Sequence, residues 1–532
     1  MWKAAAYGDF DTLKRLADET PGILKTPDGQ GYYCLQWAAL NNRVAIITYL
    51  LDQGCDINIE DPTGQTALHW SAVRNATPAL ETLLRAGANI NAADNRGYTV
   101  CHVASQYGQT SVLYHLAMKW GANTDVGDLE GRSPLHWAAY KGFSDTARLL
   151  LVMGSRPILA DKEGCTPLHW AAIRGHSEVC TVVLHGGGVE ALEMPDNTGA
   201  TPSQLAIEKG HRLLGVNLAE YRFKKDKTSA MMTGPWAVLV RLHLSPIIWG
   251  IVLGMLAMLT YSVVSNPNFP PPSSGIILAT WLTFGLAFSG LWFLFKTTTA
   301  DPGFLPQHKS SLLSSQKHEH GDVETGFLLS GTDRSHSHRQ TALDSPALWA
   351  GAWSQLCVTC KIVRPLRSKH CSVTDRCVEC FDHYCPWVGN AIGKGNRHLF
   401  LIFLWLELGA VGVSAGTAVM RIHAALSMTG SVAGSTATGG SVTSSVGLIF
   451  PVIFVVFDFF LLISVAALAI AQASQVARNV TTNELANWHR YKYLHAANGE
   501  FENPFDRGCM RNCTEVCYPA KAKMAPFVLS SS

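Results

Sequence analysis

The feature that most constrains the fold of this chain is a short phrase that recurs along its N-terminal part. Strong copies are "GQTALHWSA", "GYTVCHVAS", "GRSPLHWAA" and "GCTPLHWAA", which begin at Gly64, Gly97, Gly131 and Gly164. Weaker copies begin at Gly31 and Gly199, and the strong copies follow one another every 33 or 34 residues. A fixed period of this length indicates a solenoid in which each structural unit packs on its neighbours.

The repeated phrase resembles the T-P-L-H-x-A signature of the ankyrin repeat, whose period is about 33 residues. The resemblance implies a turn and two short helices per unit, with about six repeats and an N-terminal cap over residues 1–215. The Thr or Ser and the His of each phrase lie where the first helix begins and can cap backbone groups there, so we expect His69, His136 and His169 to be structural. Ankyrin solenoids are usually binding surfaces, which predicts a protein partner.

Beyond the repeats the composition changes to four long apolar runs. Each has 18 or more residues, and a helix of that length spans about 27 Å, close to the roughly 30 Å hydrocarbon core of a bilayer. The runs predict two pairs of membrane helices within 246–295 and 399–471: Ile247–Val264, Gly275–Phe295, Leu399–Met420 and Leu448–Ala471. The N-terminus has no apolar stretch of signal-peptide length, so we expect membrane entry to come from these internal segments.

Lys and Arg are unevenly distributed around the apolar runs. They are concentrated in "RFKKDK" before the first run, in the loop between the second and third runs, and in the tail, whereas 265–274 and 428–447 contain neither. The positive-inside rule therefore predicts a multi-pass membrane protein whose repeats, long loop and C-terminal tail over 472–532 face the cytosol. Residues 296–350 are largely polar and rich in Ser, which predicts a flexible cytosolic linker.

The cysteines and the charge restrict the classes of function. Six of the 14 cysteines fall between Cys357 and Cys385, which indicates metal or thiol chemistry rather than a disulfide framework. The formal net charge is +2, and no long basic run is interleaved with aromatic residues, which argues against nucleic-acid binding.

The cysteine-rich segment over 351–400 has the spacing of a metal site. A CxxC pair, a His ten residues on and a Cys seven further on are adequate for one tetrahedral zinc, because thiolate and imidazole are ligands that zinc prefers. The segment has too little apolar surface to fold unaided, so a metal that closes it is expected. The ligands would be Cys357, Cys360, His370 and Cys377.

The same segment, with "FDHYCPW" near its end, resembles the DHHC cysteine-rich domain of the protein S-acyltransferases, the palmitoyltransferases that attach fatty acids to cysteine thiols. Three flanking motifs resemble this family as well: "DPG" from Asp301, "TTNE" from Thr481 and "NPFDRGCMRN" from Asn503. Ankyrin repeats followed by four membrane runs are similar to the ankyrin-bearing branch of the family, and the wording of the repeats is most similar to that of a plant member.

The resemblance implies an enzyme that works in two steps. Cys385 would accept a palmitoyl or similar long-chain acyl group from acyl-CoA and pass it to cysteines of protein substrates bound through the ankyrin repeats. A cysteine attacks a thioester as thiolate, so His383 would take its proton, and Asp382 would fix the imidazole tautomer. The resemblance also implies zinc at the four ligands above and a Golgi or related endomembrane location.

A second zinc site of the family is expected to be lost. Its positions here are Cys371, Thr374, Tyr384 and Ala391. The family usually has Cys, His and Cys at the last three positions, so one zinc is predicted. Tyr384 would then replace a structural ligand and leave the catalytic residues in place. Cys380 stands in CxxC spacing with Cys377 and is either a replacement ligand or an unligated thiol.

Other polar residues have two interpretations. Glu407 and Asp458 lie inside membrane runs, where an unpaired carboxylate is costly, so they either support packing or line an acyl cavity. Four basic residues could bind the phosphates of CoA or simply follow the positive-inside rule: Arg364, Arg367, Lys369 and Arg397.

Three C-terminal cysteines also remain open. Cys509, Cys513 and Cys517 are four residues apart, which would place them on one face of a helix near the membrane, as acyl acceptors or as buried thiols.

The patterns together predict an all-α fold class. An ankyrin-repeat solenoid would be followed by a four-helix transmembrane domain with a small zinc-bound cysteine-rich domain. Two other functions are compatible with parts of the sequence: a catalytically inactive ankyrin membrane scaffold, which the missing zinc ligands favour, and an ankyrin-bearing ion channel. Four spans without a re-entrant pore segment argue against the channel.

Overall fold

The computed structural model describes residues 1–221, 245–267, 269–306, 343, 345–432 and 446–517. The chain forms two compact units. Among the described residues, the first unit contains the N-terminal repeats together with the segment that ends at Arg364, and the second contains the long apolar helices and the chain from Pro365 to Cys517. The repeats therefore form one compact unit together with a segment that lies far from them in sequence.

The N-terminal part consists of paired short helices at the predicted period, which confirms the ankyrin solenoid. The Leu and Ala side chains of the phrase are buried between neighbouring repeats, as Leu68 and Leu135 illustrate. Residues 212–221 are also helical. The helices before them are Trp2–Tyr7, Phe10–Glu19, Cys34–Leu40, Val44–Asp52, Ala67–Val73, Thr77–Arg85, Val100–Gln106, Thr110–Trp120, Pro134–Lys141, Ser144–Met153, Pro167–Ile173, Ser177–His185 and Pro202–Glu208.

The histidines of the repeated phrase are buried hydrogen-bonding groups. Nδ1 of His136 accepts from the backbone N–H of Ser133 at 3.0 Å, and its Nε2 lies 3.2 Å from the carbonyl oxygen of Cys165 in the next repeat. Burial lowers the pKa of His136 to about 4, which keeps the ring neutral near physiological pH. His69 and His169 accept from backbone N–H groups in the same way. These contacts close the start of each helix, as expected for structural residues.

The glycine that opens each phrase is required by the turn before the helix. Gly97 has a φ of 80°, in the left-handed region that favours glycine. A Cβ atom there would lie 2.7 Å from the backbone nitrogen of Leu129 in the next repeat. Another residue at this position would be strained and would separate two repeats.

The segment before the cysteine-rich region packs on the repeats within the first unit. The buried ring of Tyr114 lies 4.7 Å from the ring of Trp349 and 5.1 Å from the ring of Trp353, measured between centroids. Further along, the hydroxyl of Thr359 donates to the carbonyl oxygen of His185 at 3.1 Å. Aromatic burial of this kind attaches the segment to the second helices of the repeats.

Four helices are long and apolar enough to cross a membrane, judged by length and composition. They are Ser245–Val264, Ser274–Thr299, Arg397–Ser427 and Leu448–Ala477, and we refer to them as the first to fourth membrane helices. The last two belong to helices with full bounds Arg397–Val432 and Val446–Ala477. All four extend the predicted runs, since helical hydrogen bonding continues into polar residues beyond the apolar stretch.

Both ends of the predicted linker 296–350 belong to structured elements. The second membrane helix continues to Thr299, and Phe304 forms an isolated β-bridge with Val378 of the cysteine-rich region. At the other end, Pro346–Trp349 forms a short helix. Residues 307–342 and 344, on which the prediction of flexibility mainly falls, lie outside the described residues.

The cysteine-rich region contains three antiparallel strand pairs. They are β1 (Leu356–Cys357) with β2 (Ile362–Val363), β3 (Lys369–Cys371) with β4 (Arg376–Val378), and β5 (His383–Cys385) with β6 (Asn390–Ile392). After the fourth membrane helix come the short helices Thr482–Asn487 and Cys509–Cys517. In the part of the chain that is described, the predicted all-α class is thus confirmed apart from these small hairpins.

Candidate active site and metal cluster

The strand β5 carries the residues predicted to be catalytic. Successive side chains of a strand point to opposite faces, so His383 and Cys385 share one face and Tyr384 lies on the other. Asp382 directly precedes the strand, and its Oδ2 lies 2.6 Å from Nδ1 of His383. His383 is in turn hydrogen-bonded to Cys385. The structure brings carboxylate, imidazole and thiol together in that order.

The carboxylate of Asp382 is fully buried and receives donors from distant parts of the chain. The backbone N–H and the hydroxyl of Thr482 each donate to it at 2.8 Å. Nε2 of Gln472 donates to Oδ2 at 3.4 Å, and a guanidinium nitrogen of Arg397 lies 3.4 Å from Oδ1. Burial alone would raise the pKa of Asp382, but the hydrogen bond from His383 and the charge of Arg397 lower it to about 2. Asp382 is therefore an anion that orients the imidazole.

The pKa of His383 is raised to about 9. Burial acts to lower it, but the hydrogen bonds to Asp382 and Cys385 favour the charged ring and outweigh burial. The imidazolium form therefore persists at neutral pH. A charged imidazole beside a thiol stabilises the thiolate, which is the nucleophilic form of cysteine.

The thiol of Cys385 lies at one end of the membrane helices. It is buried in an apolar cluster to which three of those helices contribute. An acyl group on this sulfur would therefore contact apolar side chains rather than water. The helical side chains of the cluster are Leu291, Leu294, Phe400, Phe403, Leu404 and Ala469.

A second buried ion pair holds the "TTNE" motif near the site. Nε and Nη2 of Arg367 donate to the two carboxylate oxygens of Glu484 at 2.8 and 2.9 Å, and both side chains are less than a tenth exposed. Nη1 of Arg367 also donates to Oδ1 of Asn479 at 2.9 Å. Glu484 forms a capping box with Thr481, which starts the helix Thr482–Asn487. This bidentate pair fixes the helix start from which Thr482 reaches the carboxylate of Asp382.

These contacts revise the interpretation of the nearby basic residues. Arg367 and Arg397 are buried and paired within the protein, and Nζ of Lys369 donates to Oδ1 of Asn483 at 2.7 Å. Nε of Arg364 donates to the carbonyl oxygen of Gln355 at 3.2 Å. Each of these four basic side chains thus binds another group of the protein. Neither the CoA-phosphate interpretation nor the positive-inside interpretation included such partners.

Sequence reasoning missed the residues that position the carboxylate of Asp382. Thr482, Gln472 and Arg397 contact Asp382 across separations of up to 100 residues, which no local pattern reveals. The available signal is the "TTNE" motif, to which the family resemblance assigns no role.

The four predicted zinc ligands come together in the structure. One donor atom from each of Cys357, Cys360, His370 and Cys377 lies within 4.8 Å of the others. Tetrahedral zinc, with Zn–S distances of about 2.3 Å, separates its ligand atoms by roughly 3.8 Å. The cluster is therefore close to the size that zinc needs. Three sulfurs and one imidazole nitrogen, with the three cysteines buried, are a typical structural zinc set.

The positions of the second family zinc site are filled by apolar packing instead. Tyr384 and Ala391 are directly opposite each other in the pair β5 and β6. Together with Cys371, Val378 and Phe381 they form a small apolar cluster on the face of β5 that does not carry the thiol. Within the described residues, a single group of three or more potential metal donors is present, and it includes neither Cys371 nor Cys380.

The two membrane carboxylates line one small cavity between the membrane helices. Its volume is about 30 Å³, enough for a water molecule. Asp458 accepts a hydrogen bond from the hydroxyl of Ser414 at 2.7 Å, and Glu407 packs against Gly290 of the second membrane helix. A Cβ on Gly290 would clash with Oε1 of Glu407, so glycine makes room for this carboxylate. The contacts support the packing interpretation, and the lining of an acyl cavity stays a prediction.

Comparison with known proteins decides the family. A family model described as DHHC palmitoyltransferase matches residues 353–489, and an ankyrin-repeat model of three copies matches overlapping stretches between residues 1 and 228. Probable protein S-acyltransferase 23 of Arabidopsis thaliana is 37% identical over 522 residues, which are 97% of this chain and 92% of that relative. The chain belongs to the DHHC palmitoyltransferase family.

Other relatives are palmitoyltransferases as well. It is similar to palmitoyltransferase ZDHHC17 of Danio rerio, 28% identical over 96% of this chain and 86% of the relative. It is also similar to palmitoyltransferase ZDHHC9 of Bos taurus, 38% identical over 168 residues, which are 31% of this chain and 41% of the relative. The family match and these relatives support protein S-acylation as the activity of this palmitoyltransferase.

The metal content of the purified palmitoyltransferase tests the two zinc positions. We expect one zinc per chain, because one site retains four suitable ligands and the other is filled by apolar side chains. Elemental analysis should show the zinc lost in Cys377→Ala and retained in the matched variant Cys371→Ala. Two zinc ions per native chain, or loss of zinc from Cys371→Ala, would contradict this assignment.

The variant Asp382→Asn tests the link between the carboxylate and the imidazole. A raised pKa means that His383 stays charged below about 9 and loses its proton as pH rises through that value. The substitution should lower this pKa toward about 6.5 and slow acylation of Cys385 at neutral pH by about 10²–10⁴-fold.

The measurement is the rate of thioester formation on Cys385 across neutral and alkaline pH. The alkaline limb of the profile should move to lower pH in Asp382→Asn and stay in place in Glu502→Gln, an exposed acid of the tail. An alkaline limb that does not move in Asp382→Asn would show that the two residues are not coupled.

Proposed function

We propose that this protein S-acyltransferase moves a palmitoyl or similar long-chain acyl group from acyl-CoA to cysteines of other proteins through a thioester on Cys385. The observation that carries the proposal is the arrangement at β5, where a buried thiol lies beside a charged imidazole and inside apolar side chains of the membrane helices. The thiol supplies the nucleophile, and the apolar cluster supplies a surface for the acyl chain.

In the first step the thiolate of Cys385 attacks the carbonyl carbon of acyl-CoA. A bond forms between that carbon and Sγ, the bond to the CoA sulfur breaks, and the imidazolium of His383 gives its proton to the departing thiolate. Asp382 keeps Nδ1 of the ring in place throughout. Burial of the site among apolar side chains limits hydrolysis of the thioester by water.

In the second step the thiol of a substrate protein takes the place of CoA. His383, now neutral, accepts the proton of that thiol, and the new thiolate attacks the thioester carbonyl. The acyl group passes to the substrate sulfur, and Cys385 leaves as thiolate beside the regenerated imidazolium.

Zinc has a structural place in this proposal. Cys357, Cys360, His370 and Cys377 would hold the ion, which would supply a structural link between loops that have little apolar surface of their own. The protein groups that handle the acyl transfer are those on the catalytic face of β5.

The membrane arrangement follows from the charge pattern and the family. We place the repeats, the cysteine-rich region and the tail on the cytosolic side, in agreement with the distribution of Lys and Arg. A Golgi or related endomembrane is the proposed location, by analogy with the family. The acyl tail would then lie among the membrane helices while CoA stays in water.

An aromatic cavity on the repeats is the proposed recruitment surface for substrate proteins. It has a volume of about 170 Å³ and is lined by Arg132, His136, Trp137, Tyr140 and Trp170. The ring of Tyr140 lies 6.0 Å from that of Trp137 and 5.6 Å from that of Trp170, between centroids. Aromatic residues with a neighbouring Arg are the groups that dominate binding at protein interfaces.

Acylation of the purified protein tests the proposed reaction. Incubation with labelled palmitoyl-CoA should give a label on the native chain that neutral hydroxylamine removes, because thioesters are cleaved by it. The variant Cys385→Ser should carry no label at that position. A folded, zinc-containing native chain that stays unlabelled would remove the transferase proposal and leave the inactive scaffold in its place.

The variant Tyr140→Ala tests recruitment through the repeats. We expect acylation of Cys385 itself to be unchanged, since Tyr140 belongs to the repeats, while acylation of substrate proteins in cells falls about tenfold or more. The matched control is Tyr107→Ala, which removes an aromatic ring that is 52% exposed and does not line the cavity. Equal substrate acylation by the two variants would contradict recruitment at this cavity.

A further inference from the structure

The helix Cys509–Cys517 carries three thiols that the proposed reaction does not use. Their spacing puts Cys509, Cys513 and Cys517 on one helical face. By helical position, Met510 and Val516 flank them, so this face is formed by apolar or sulfur-containing side chains. The polar side chains of the helix lie on the opposite side: Arg511, Asn512, Thr514 and Glu515.

The thiol face is accessible. Cys509 and Cys517 are exposed and Cys513 is partly exposed, so the interpretation of these residues as buried thiols is wrong. Met510, on the same face, is 83% exposed. An exposed face of this composition on a short amphipathic helix fits contact with a lipid surface.

The helix is fixed where the fourth membrane helix ends. The side-chain amide of Asn512, which is fully buried, donates to the carbonyl oxygen of Ala477 at 2.8 Å, and Ala477 is the last residue of that membrane helix. Nδ2 of Asn479 donates to the carbonyl oxygen of Phe505 at 3.0 Å.

The catalytic residues lie at the same end of that membrane helix. The backbone N–H of Asn483, which lies four residues after Asn479, donates to the carbonyl oxygen of Asp382 at 3.1 Å. Asn479 therefore contacts both parts of the protein. Its Nδ2 donates to the tail that carries the three thiols, and its Oδ1 accepts from Arg367 near the site.

We propose that Cys509, Cys513 and Cys517 are acyl acceptors of this enzyme, and that their acylation anchors the helix in the membrane interface. The inference rests on the proposed function and adds a substrate to it, the tail of the protein itself. A single acyl chain holds a protein to a membrane only reversibly, whereas two or more give a stable attachment. Three thiols on one face, beside the end of a membrane helix, meet that requirement.

The transfer is a simple thioester exchange. The sulfur of a tail cysteine attacks the carbonyl carbon of the Cys385 thioester, and a new carbon–sulfur bond forms as the bond to Sγ of Cys385 breaks. The proton of the tail thiol passes to His383, and Cys385 is released as thiolate. No oxidant or further reactant is needed.

The experiment uses the full-length protein in lipid vesicles with labelled palmitoyl-CoA. Peptide mass spectrometry before and after neutral hydroxylamine should find acyl groups on Cys385 and on at least two of the tail cysteines. The triple variant Cys509→Ala, Cys513→Ala and Cys517→Ala should keep the label on Cys385. Cys55, a partly exposed thiol of the repeats, is the internal control and should stay unlabelled.

The outcomes separate this inference from the proposed function. An acylated Cys385 with an unlabelled tail would overturn the inference and leave the transferase standing. Tail labelling that persists in Cys385→Ser would also overturn it, because the acyl group would then have reached the tail without the enzyme. Absence of all labelling in a folded native chain would remove both.

Discussion

The rest of the site depends on the hydrogen bonds and the ion pair that the buried carboxylate of Asp382 receives. A carboxylate removed from water remains charged only if its oxygens are hydrogen-bonded or paired with cations. Here the donors come from β5, from the start of the third membrane helix, from the fourth membrane helix and from the motif beyond it. The imidazole of His383 is therefore held in place only when these elements are assembled around one anion.

The ion pair of Arg367 and Glu484 is a second buried charge pair close to the site. Removal of one partner of a buried pair leaves an uncompensated charge, which costs about 3–5 kcal/mol. Since Glu484 also caps the helix that presents Thr482 to Asp382, a change at Arg367 would affect the carboxylate of Asp382 through Glu484 and Thr482. Arg367 and Arg397, two of the basic residues that the sequence left open as ligands of CoA phosphates, thus have ion-pair partners within the protein.

The parts of the molecule that could be predicted from sequence depend on near neighbours. The repeat period, the apolar runs and the spacing of Cys357, Cys360, His370 and Cys377 are local patterns, and the structure contains the corresponding solenoid, helices and cluster. Tyr384 lies on the face of β5 that does not carry the thiol, because side chains alternate along a strand. Strands of three residues, however, are too short to be predicted from a sequence pattern. The donors to Asp382 could not be predicted, because nothing local couples residues 100 positions apart.

The packing of Trp349 and Trp353 on Tyr114 restricts how the repeat array of this protein can be exchanged with that of a relative. The repeat array is contiguous in sequence only up to the first membrane helix, yet its folded form includes aromatic side chains encoded more than 200 residues after Tyr114. A repeat array exchanged alone between relatives would lose those rings and leave its second helices uncovered. The inherited module is discontinuous, and a functional chimera must carry both of its pieces.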